Sequence, residues 1–285
     1  MVWKKDFLKR VHRGIGLYGS HSGAAATNEK PNLPPSRHVV KPCNTKDNSM
    51  GKLRELRKTV LECLSADPWP AGLDKLERMP PKAPLGPLLA CLLDQDQLIR
   101  WRAVSAFGPA VTRLFGSKPE DARQFMRQLM WRLNEESGNI AWGVPEAFGE
   151  ILACQPTLAR EYHRVLCSYI NERDCETGDN YLELCPLRRG VYWALARLAK
   201  VHPELVLPAL DDLLLALSGD DPQSRGLAAL ALGRLLPAAG GRAGAVRDAL
   251  RAASSDSAGL VLYQDGQFEE TSAGKIARAF SPEKA

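Results

Sequence analysis

The sequence lacks long apolar runs and most of the short motifs that announce a reaction. Its 285 residues contain no stretch of 18 apolar residues, so no transmembrane helix is expected. Walker, G-x-S-x-G and H-E-x-x-H motifs are all missing, and these are common signatures of enzymes. The N-terminus is basic, but the apolar core of a signal peptide does not follow it. We assign no catalytic residue, and a non-enzymatic protein is the favoured interpretation.

Paired cysteine motifs are also missing. The seven cysteines are an odd number, and no two of them form a C-x-x-C pair. A reduced, cytoplasmic protein is therefore expected. Cys154, Cys167, Cys175 and Cys185 fall within 32 residues, which leaves open a metal site, a redox pair or inert thiols in a helical core. Because the spacings are irregular, we assign no metal and no cofactor.

Basic residues are scarce outside the N-terminal part. Residues 1–58 hold 13 Lys/Arg and 4 Asp/Glu, which leaves 25 and 29 of the chain's 38 and 33 for the remainder. The remainder is mildly acidic, although the whole chain carries +5. Nucleic-acid surfaces need clustered basic groups. We therefore do not expect nucleic acid as a partner.

Composition divides the chain into three parts. Residues 1–48 are rich in Gly, Ser, Asn and Pro beyond a short basic amphipathic stretch, which predicts a disordered basic arm, or a mis-assigned start upstream of Met50. The amphipathic stretch would make at most weak contact with an anionic membrane surface. Residues 49–257 predict a helical repeat domain, and residues 258–285 a hairpin followed by a short helix.

The helical pattern starts at Ser49, a candidate cap, and continues almost without interruption. Short apolar-periodic segments are separated by Gly, Pro, Asp or Ser, and no strand-like alternation intervenes. Beyond the first helix, the pattern predicts helices near 84–95, 97–115, 119–134, 157–171, 187–201, 204–218, 222–237 and 241–253.

A small-large-small triplet recurs along the predicted helices. Its copies are Ala106-Phe107-Gly108, Ala147-Phe148-Gly149, Ala194-Leu195-Ala196 and Ala231-Leu232-Gly233. Offsets −3, 0, +1 and +4 from the first triplet residue form one helical stripe. Alanine at offset 0 allows close approach of a neighbouring helix, and Phe or Leu at +1 fills the core. An Asp ten residues earlier can cap the helix, and an Arg six residues earlier can reach the neighbouring repeat's loop.

The string D-P-x-x-R-x-x-A-x-x-A-L-G-x-L at 221–235 resembles HEAT repeats, and more closely the HEAT-like repeats of the phycobilisome (PBS) lyase type. The resemblance extends over roughly residues 84–253. It implies an all-α, right-handed α-solenoid of armadillo type, built from stacked two-helix repeats that bind partners on a concave face. Many unrelated proteins use this scaffold, so the resemblance does not fix the function.

Aromatic residues collect at the helix offsets that face away from the core stripe. We expect this surface to bind a protein or peptide, because aromatic residues and Arg are enriched at binding hot spots. The alternative is that the rings only pack between repeats. The candidate binding residues are Trp101, Trp142, Glu146, Glu150, Arg189, Tyr192 and Trp193.

The segment around Trp142 departs most from the repeat pattern. Gly143 and Pro145 stand where a helix should already run, which predicts a delayed helix start. Glu146 and Glu150 lie four residues apart and could form an acid–base or metal-binding pair, or simply a solvated helix face.

Two β-prone runs flank Asp265-Gly266 near the C-terminus. This dipeptide predicts a hairpin with a two-residue turn. A lone hairpin is marginal in water, so we expect it to pack on the last helices and to close the end of the solenoid.

Three functions fit these observations. The first is a non-enzymatic adaptor that holds a protein or peptide on the aromatic face. The second is a tetrapyrrole or bilin lyase-like, chromophore-binding protein, which only the repeat subtype suggests. The third is a HEAT-like DNA-binding protein or DNA glycosylase, which would use a carboxylate beside aromatic rings, but the acidic body of the chain argues against it.

Overall fold

The computed structural model describes residues 45–135, 141–172 and 180–281. Twelve α-helices and two strands occupy these ranges. The helices are α1 Thr45–Leu64, α2 Trp69–Glu77, α3 Leu85–Cys91, α4 Gln97–Ser117, α5 Pro119–Leu133, α6 Val144–Cys154, α7 Pro156–Ser168, α8 Cys185–Ala199, α9 Leu210–Ala216, α10 Pro222–Leu235, α11 Ala243–Ala253 and α12 Ala273–Phe280. Short 3₁₀ turns precede α9 and α11, and the strands are β1 Gly259–Gln264 and β2 Gln267–Ser272.

The helices alternate between two layers. The even-numbered helices α4, α6, α8, α10 and α12 pack on one another in succession, and α2 extends this layer at its N-terminal end. The odd-numbered helices lie outside it, each beside the inner helix that follows. This is a solenoid of stacked HEAT-like two-helix units, as the sequence predicts. We call the exposed side of the even-numbered helices the inner face.

Most predicted helices are present within a few residues of their expected bounds. Ser49 is not the cap of α1, because the helix already begins at Thr45. The sequence pattern also missed α2, a nine-residue helix over Trp69–Glu77. Residues 1–44 lie outside the described ranges, so the prediction of a disordered arm stays a prediction. No described helix combines the length and apolarity needed to cross a membrane.

The delayed start of α6 is confirmed. Gly143 precedes the helix with φ = 71°, a left-handed conformation that glycine adopts without a Cβ penalty. Val144 begins the helix, and Pro145 stands in its first turn, where a missing N–H costs nothing. The core stripe of the segment is intact, since Ala147 and Phe148 are fully buried.

Glycine at the third triplet position sets the spacing between inner helices. A Cβ on Gly149 would lie 2.3 Å from the Cβ of Ala194 on α8, so α6 and α8 touch backbone to side chain there. In the same way, the side chain of Cys154 packs against Gly108 of α4, and the ring of Phe280 packs against Gly233 of α10. The first triplet residue of one repeat, Ala194, thus packs on the third triplet residue of the repeat before it.

The predicted caps and the predicted arginine contact are also present. Asp96 accepts from the backbone N–H of Leu98 at 2.7 Å, and Asp221 accepts from the backbone N–H of Ser224 at 2.9 Å. Arg225 reaches the loop of the next unit, where its Nε lies 2.7 Å from a carboxylate oxygen of Asp256. The copy at 221–235 therefore has both a local cap and a contact between repeats, whereas Arg188, at the same offset as Arg225, donates to main-chain oxygens of the loop before its own helix.

The C-terminal hairpin forms with the predicted turn. Its strands pair antiparallel from Gly259–Ser272 to Gln264–Gln267, and Asp265 and Gly266 both have positive φ, 48° and 87°. The hairpin contacts α10 as expected, but it does not simply close the end of the solenoid. It is inserted between α11 and α12 and lies on the inner face, where β1 reaches the rings of α4 and α8.

Candidate functional site

The inner face carries an aromatic cluster to which the hairpin contributes. The ring of Tyr263 on β1 stacks on Trp101 of α4, with centroids 4.8 Å apart and an interplanar angle of 20°. Trp193 of α8 lies 4.9 Å from Trp101 at 58°. The Trp193 indole N–H also donates to the main-chain oxygen of Tyr263 at 3.1 Å. The cluster therefore joins two inner helices and one strand that are far apart in sequence.

Side chains of the inner helices hold β1 by its backbone. Gln223 on α10 donates from Nε2 to the main-chain oxygen of Val261 at 2.7 Å. Trp193 on α8 binds the carbonyl of Tyr263, two residues further along the strand. Leu260 packs over Gly226, where a Cβ would approach its side chain to 2.3 Å. Side chains of two successive inner helices, α8 and α10, therefore donate hydrogen bonds to alternate main-chain carbonyls of β1.

The sequence-predicted binding residues fall into a covered group and an open group. Trp193 and Tyr192 are both buried, and Trp101 is half-buried beneath Tyr263. Trp142 precedes α6 and is 41% exposed, while Arg189 occupies the equivalent position in the first turn of α8 and its side chain is 45% exposed. The predicted aromatic face is therefore closed by the hairpin in part, and it is open at Trp142 and Arg189.

Arg189 is held in place by the cap of the next inner helix. Its guanidinium makes two bonds to Asp221, at 2.6 and 2.9 Å. Burial alone would raise the pKa of Asp221, but hydrogen bonds from Arg189 and from Ser224 outweigh it and lower that pKa to about 2. The Asp221 carboxylate therefore remains charged at neutral pH. Its two hydrogen bonds hold the Arg189 guanidinium in one orientation.

Glu146 is a part-buried residue, and one of its carboxyl oxygens lacks a hydrogen-bond partner. Its Oε2 is fully covered and has no hydrogen-bond partner among the described residues. The carboxyl lies against Gly190 of α8, where a Cβ would come within 2.6 Å of Oε2. Burial raises the pKa of Glu146 to about 7, opposed by its own backbone N–H and by Arg100. At neutral pH this group therefore stands near its midpoint of ionisation.

Glu150 does not form an acid–base pair with Glu146, because it is committed to another partner. Its two carboxylate oxygens accept from Nε and Nη2 of Arg197 at 2.7 and 3.1 Å. The thiol of Cys154 donates to the same carboxylate at 3.3 Å. Glu150 is only 8% exposed, so the expected solvated helix face is wrong for this residue. It forms a buried ion pair between α6 and α8.

Glu150 and Arg197 belong to a column of charged side chains that the sequence analysis did not predict. Glu150, Arg197 and Arg234 all stand three residues after the first residue of their triplets, and stacking brings them together along α6, α8 and α10. They line a cavity of about 350 Å³ between these helices and the end of β1. The signal was available as a charged residue at the same offset in three successive apolar triplets.

The described cysteines of the group, Cys154, Cys167 and Cys185, do not come together as a metal site. Among the described residues, no cluster of three or more His, Cys, Asp or Glu side chains is placed to bind a metal. Burial raises the pKa of both Cys154 and Cys167 to about 12, so both thiols stay protonated. Cys175 lies outside the described residues, and Cys185 begins α8 as a free cysteine.

Comparison with known families bears on the same helices. Residues 186–235, which include α8, α9 and α10, match the family model of the HEAT-like repeat. This segment is therefore similar to HEAT-like repeats. The match is to HEAT-like repeats in general and says nothing about the PBS-lyase subtype. The HEAT-like segment carries Trp193, Gln223 and Arg234, which all donate hydrogen bonds to the hairpin.

Other similar proteins extend this picture only at the level of fold. An uncharacterized protein of Archaeoglobus fulgidus is 29% identical over 89 residues, which are 31% of this chain and 45% of that one. The chain therefore matches less than half the length of that relative. A designed armadillo repeat protein in complex with the peptide (KR)4 is 15% identical, over 84% of this chain and 94% of that one, with a TM-score of 0.50. A computationally designed armadillo repeat protein for modular peptide recognition is 17% identical, over 83% and 94%, with a TM-score of 0.47.

Proposed function

We propose that this chain is a non-enzymatic scaffold that binds an extended segment of a partner protein on its inner face. One observation carries the proposal. The face already holds an extended segment, because Trp193 and Gln223 donate to alternate carbonyls of β1. Donors spaced in this way recognise a polypeptide backbone rather than a particular side chain.

The fold supports the same proposal. Solenoids of stacked repeats offer long concave surfaces that bind partners. The designed armadillo protein that shares this fold is described in complex with the peptide (KR)4. The acidic body of this chain agrees with a protein partner better than with nucleic acid. The cytoplasm is the proposed location, since the free cysteines suit a reducing compartment.

The partner would contact the part of the inner face that the hairpin leaves open. Trp142 and Arg189 hold equivalent positions in neighbouring repeats, and both are substantially exposed. The ring of Trp142 supplies apolar contact area, and Arg189 supplies a guanidinium already oriented by Asp221. Exposed Trp and Arg beside a buried core are the residue types found at binding hot spots.

The test is affinity purification from the native cell with mass spectrometry, using wild type and two tryptophan variants. Trp142→Ala is expected to reduce partner recovery about tenfold. Trp131→Ala is the matched control, because Trp131 is 64% exposed but belongs to the outer helix α5. Equal recovery with wild type and Trp142→Ala, or equal losses with both variants, would contradict a partner site on the inner face.

A further inference from the structure

The cavity beside the hairpin has the size and walls of a small-molecule site. It measures about 350 Å³ and lies between α6, α8, α10 and the end of β1. Small-molecule sites in proteins run from about 300 to 1,000 Å³. Its lining includes the apolar side chains of Trp193, Leu230 and Leu262. The polar column of Glu150, Arg197 and Arg234 also lines it.

The side chains that line the cavity carry one more positive charge than negative charge. Arg197 is matched by the two oxygens of Glu150. Lys200 at the rim is matched by Asp265 at 3.3 Å. These two pairs leave Arg234 as the one cationic side chain of the described cavity lining without a bonded carboxylate.

Two hydrogen bonds orient the Arg234 guanidinium, but neither places a negative charge against it. Its Nη1 donates to the main-chain oxygen of Ala196 at 2.7 Å, and its Nη2 donates to the amide oxygen of Gln264 at 2.7 Å. Both acceptors are uncharged. Burial and the neighbouring Arg197 lower the pKa of Arg234 to about 10, so the guanidinium is still charged at neutral pH. A charged group in this setting is stabilised by an anion placed against it.

We propose that this cavity binds a small organic monoanion, a carboxylate with an apolar body. Its carboxylate would bind Arg234, and its apolar part would contact Trp193, Leu230 and Leu262. A single negative charge matches the single excess positive charge of the walls. The hairpin forms one wall, so the hairpin also contributes to a ligand site. The site is separate from the partner surface at Trp142 and does not depend on the proposed scaffold function.

Two probes that differ only in charge test the site. Naphthalene-2-carboxylate and naphthalene-2-carboxamide have the same shape, and their affinities for the full chain are compared by calorimetry at neutral pH. The carboxylate is expected to bind wild type about tenfold more tightly than the amide, because a bond to a charged group is stronger. Equal affinities, or no binding of either probe below a Kd of about 1 mM, would overturn the proposal.

Three variants assign the preference to Arg234. Arg234→Met is expected to remove the preference for the carboxylate, and Arg234→Lys to retain most of it, since the charge remains. Arg242→Met is the control, because Arg242 pairs with Asp211 at 2.5 Å on exposed surface away from the cavity. Circular dichroism checks that each variant is folded. If Arg234→Met is unfolded, Arg234→Gln removes the charge and keeps a polar side chain, and an unchanged carboxylate preference in that folded variant would contradict the site.

Discussion

At the scale of single residues, the part-buried Glu146 is an acid whose surroundings disfavour its charged form. Its Oε2 is covered and has no partner among the described residues, and burial raises its pKa to about 7. The carboxyl lies against Gly190 of α8, which has no side chain. An acid whose pKa is raised by folding is bound more tightly by protons in the folded state than in the unfolded state.

Glu146 should therefore make the protein less stable as pH rises. The unfolded carboxyl loses its proton near pH 4.5 and the folded one near pH 7, so stability falls between these values and stays low above them. Glu146→Gln should remove this loss, which we expect to reach about 3 kcal/mol. Urea unfolding of both proteins from pH 4 to pH 8 measures it. Glu270→Gln on the exposed strand β2 is the control, and an identical pH profile for wild type and Glu146→Gln would refute the assignment.

At the scale of elements, the inner helices depend on small residues to approach one another. Gly149 and Ala194 form the tightest of these contacts between α6 and α8. The sequence already indicates such contacts through its small-large-small triplets. It does not show which small residue meets which, because that pairing depends on how far each helix is displaced along its neighbour.

Gly149→Ala should destabilise the fold by about 1–3 kcal/mol, because the new Cβ overlaps Ala194 and the helices must separate. Gly116→Ala is the matched helical control, since a Cβ there meets nothing within 4 Å. The control should be neutral or more stable by up to about 1 kcal/mol, as alanine is the better helix former. Chemical denaturation of the two variants provides the measurement. Equal stabilities would mean that α6 and α8 are not closely packed at this point.

At the scale of the whole molecule, the hairpin changes how the solenoid is held together. In a simple solenoid each repeat contacts only its neighbours, so stability is local. Here Tyr263 approaches Ser105 to 3.5 Å between hydroxyls that are 158 residues apart in sequence, and it stacks on Trp101. The hairpin therefore ties the C-terminal unit to a helix near the N-terminal end of the described solenoid.

Removing this tie should uncouple the two ends. We expect a variant with residues 259–272 replaced by a Gly/Ser linker of equal length to lose protection first in α4, while α8 and α10 stay folded to higher urea. Native-state hydrogen exchange, which resolves such sub-global opening, measures both regions. In wild type the regions should open together. Joint opening in the linker variant as well would show that neighbour contacts alone make the solenoid cooperative.

The sequence alone determined the local features of this protein. Helical periodicity, the triplets, the Asp caps and the Asp265-Gly266 turn are set by interactions within a few residues, so the solenoid, the late start of α6 and the hairpin could all be predicted. Only the tertiary structure decided that the hairpin covers Trp101 and Trp193, that Glu150 pairs with Arg197, and that Arg234 keeps its charge without a bonded carboxylate. Those outcomes depend on which distant segments meet and on how far each helix is displaced along its neighbour, and local patterns do not specify either.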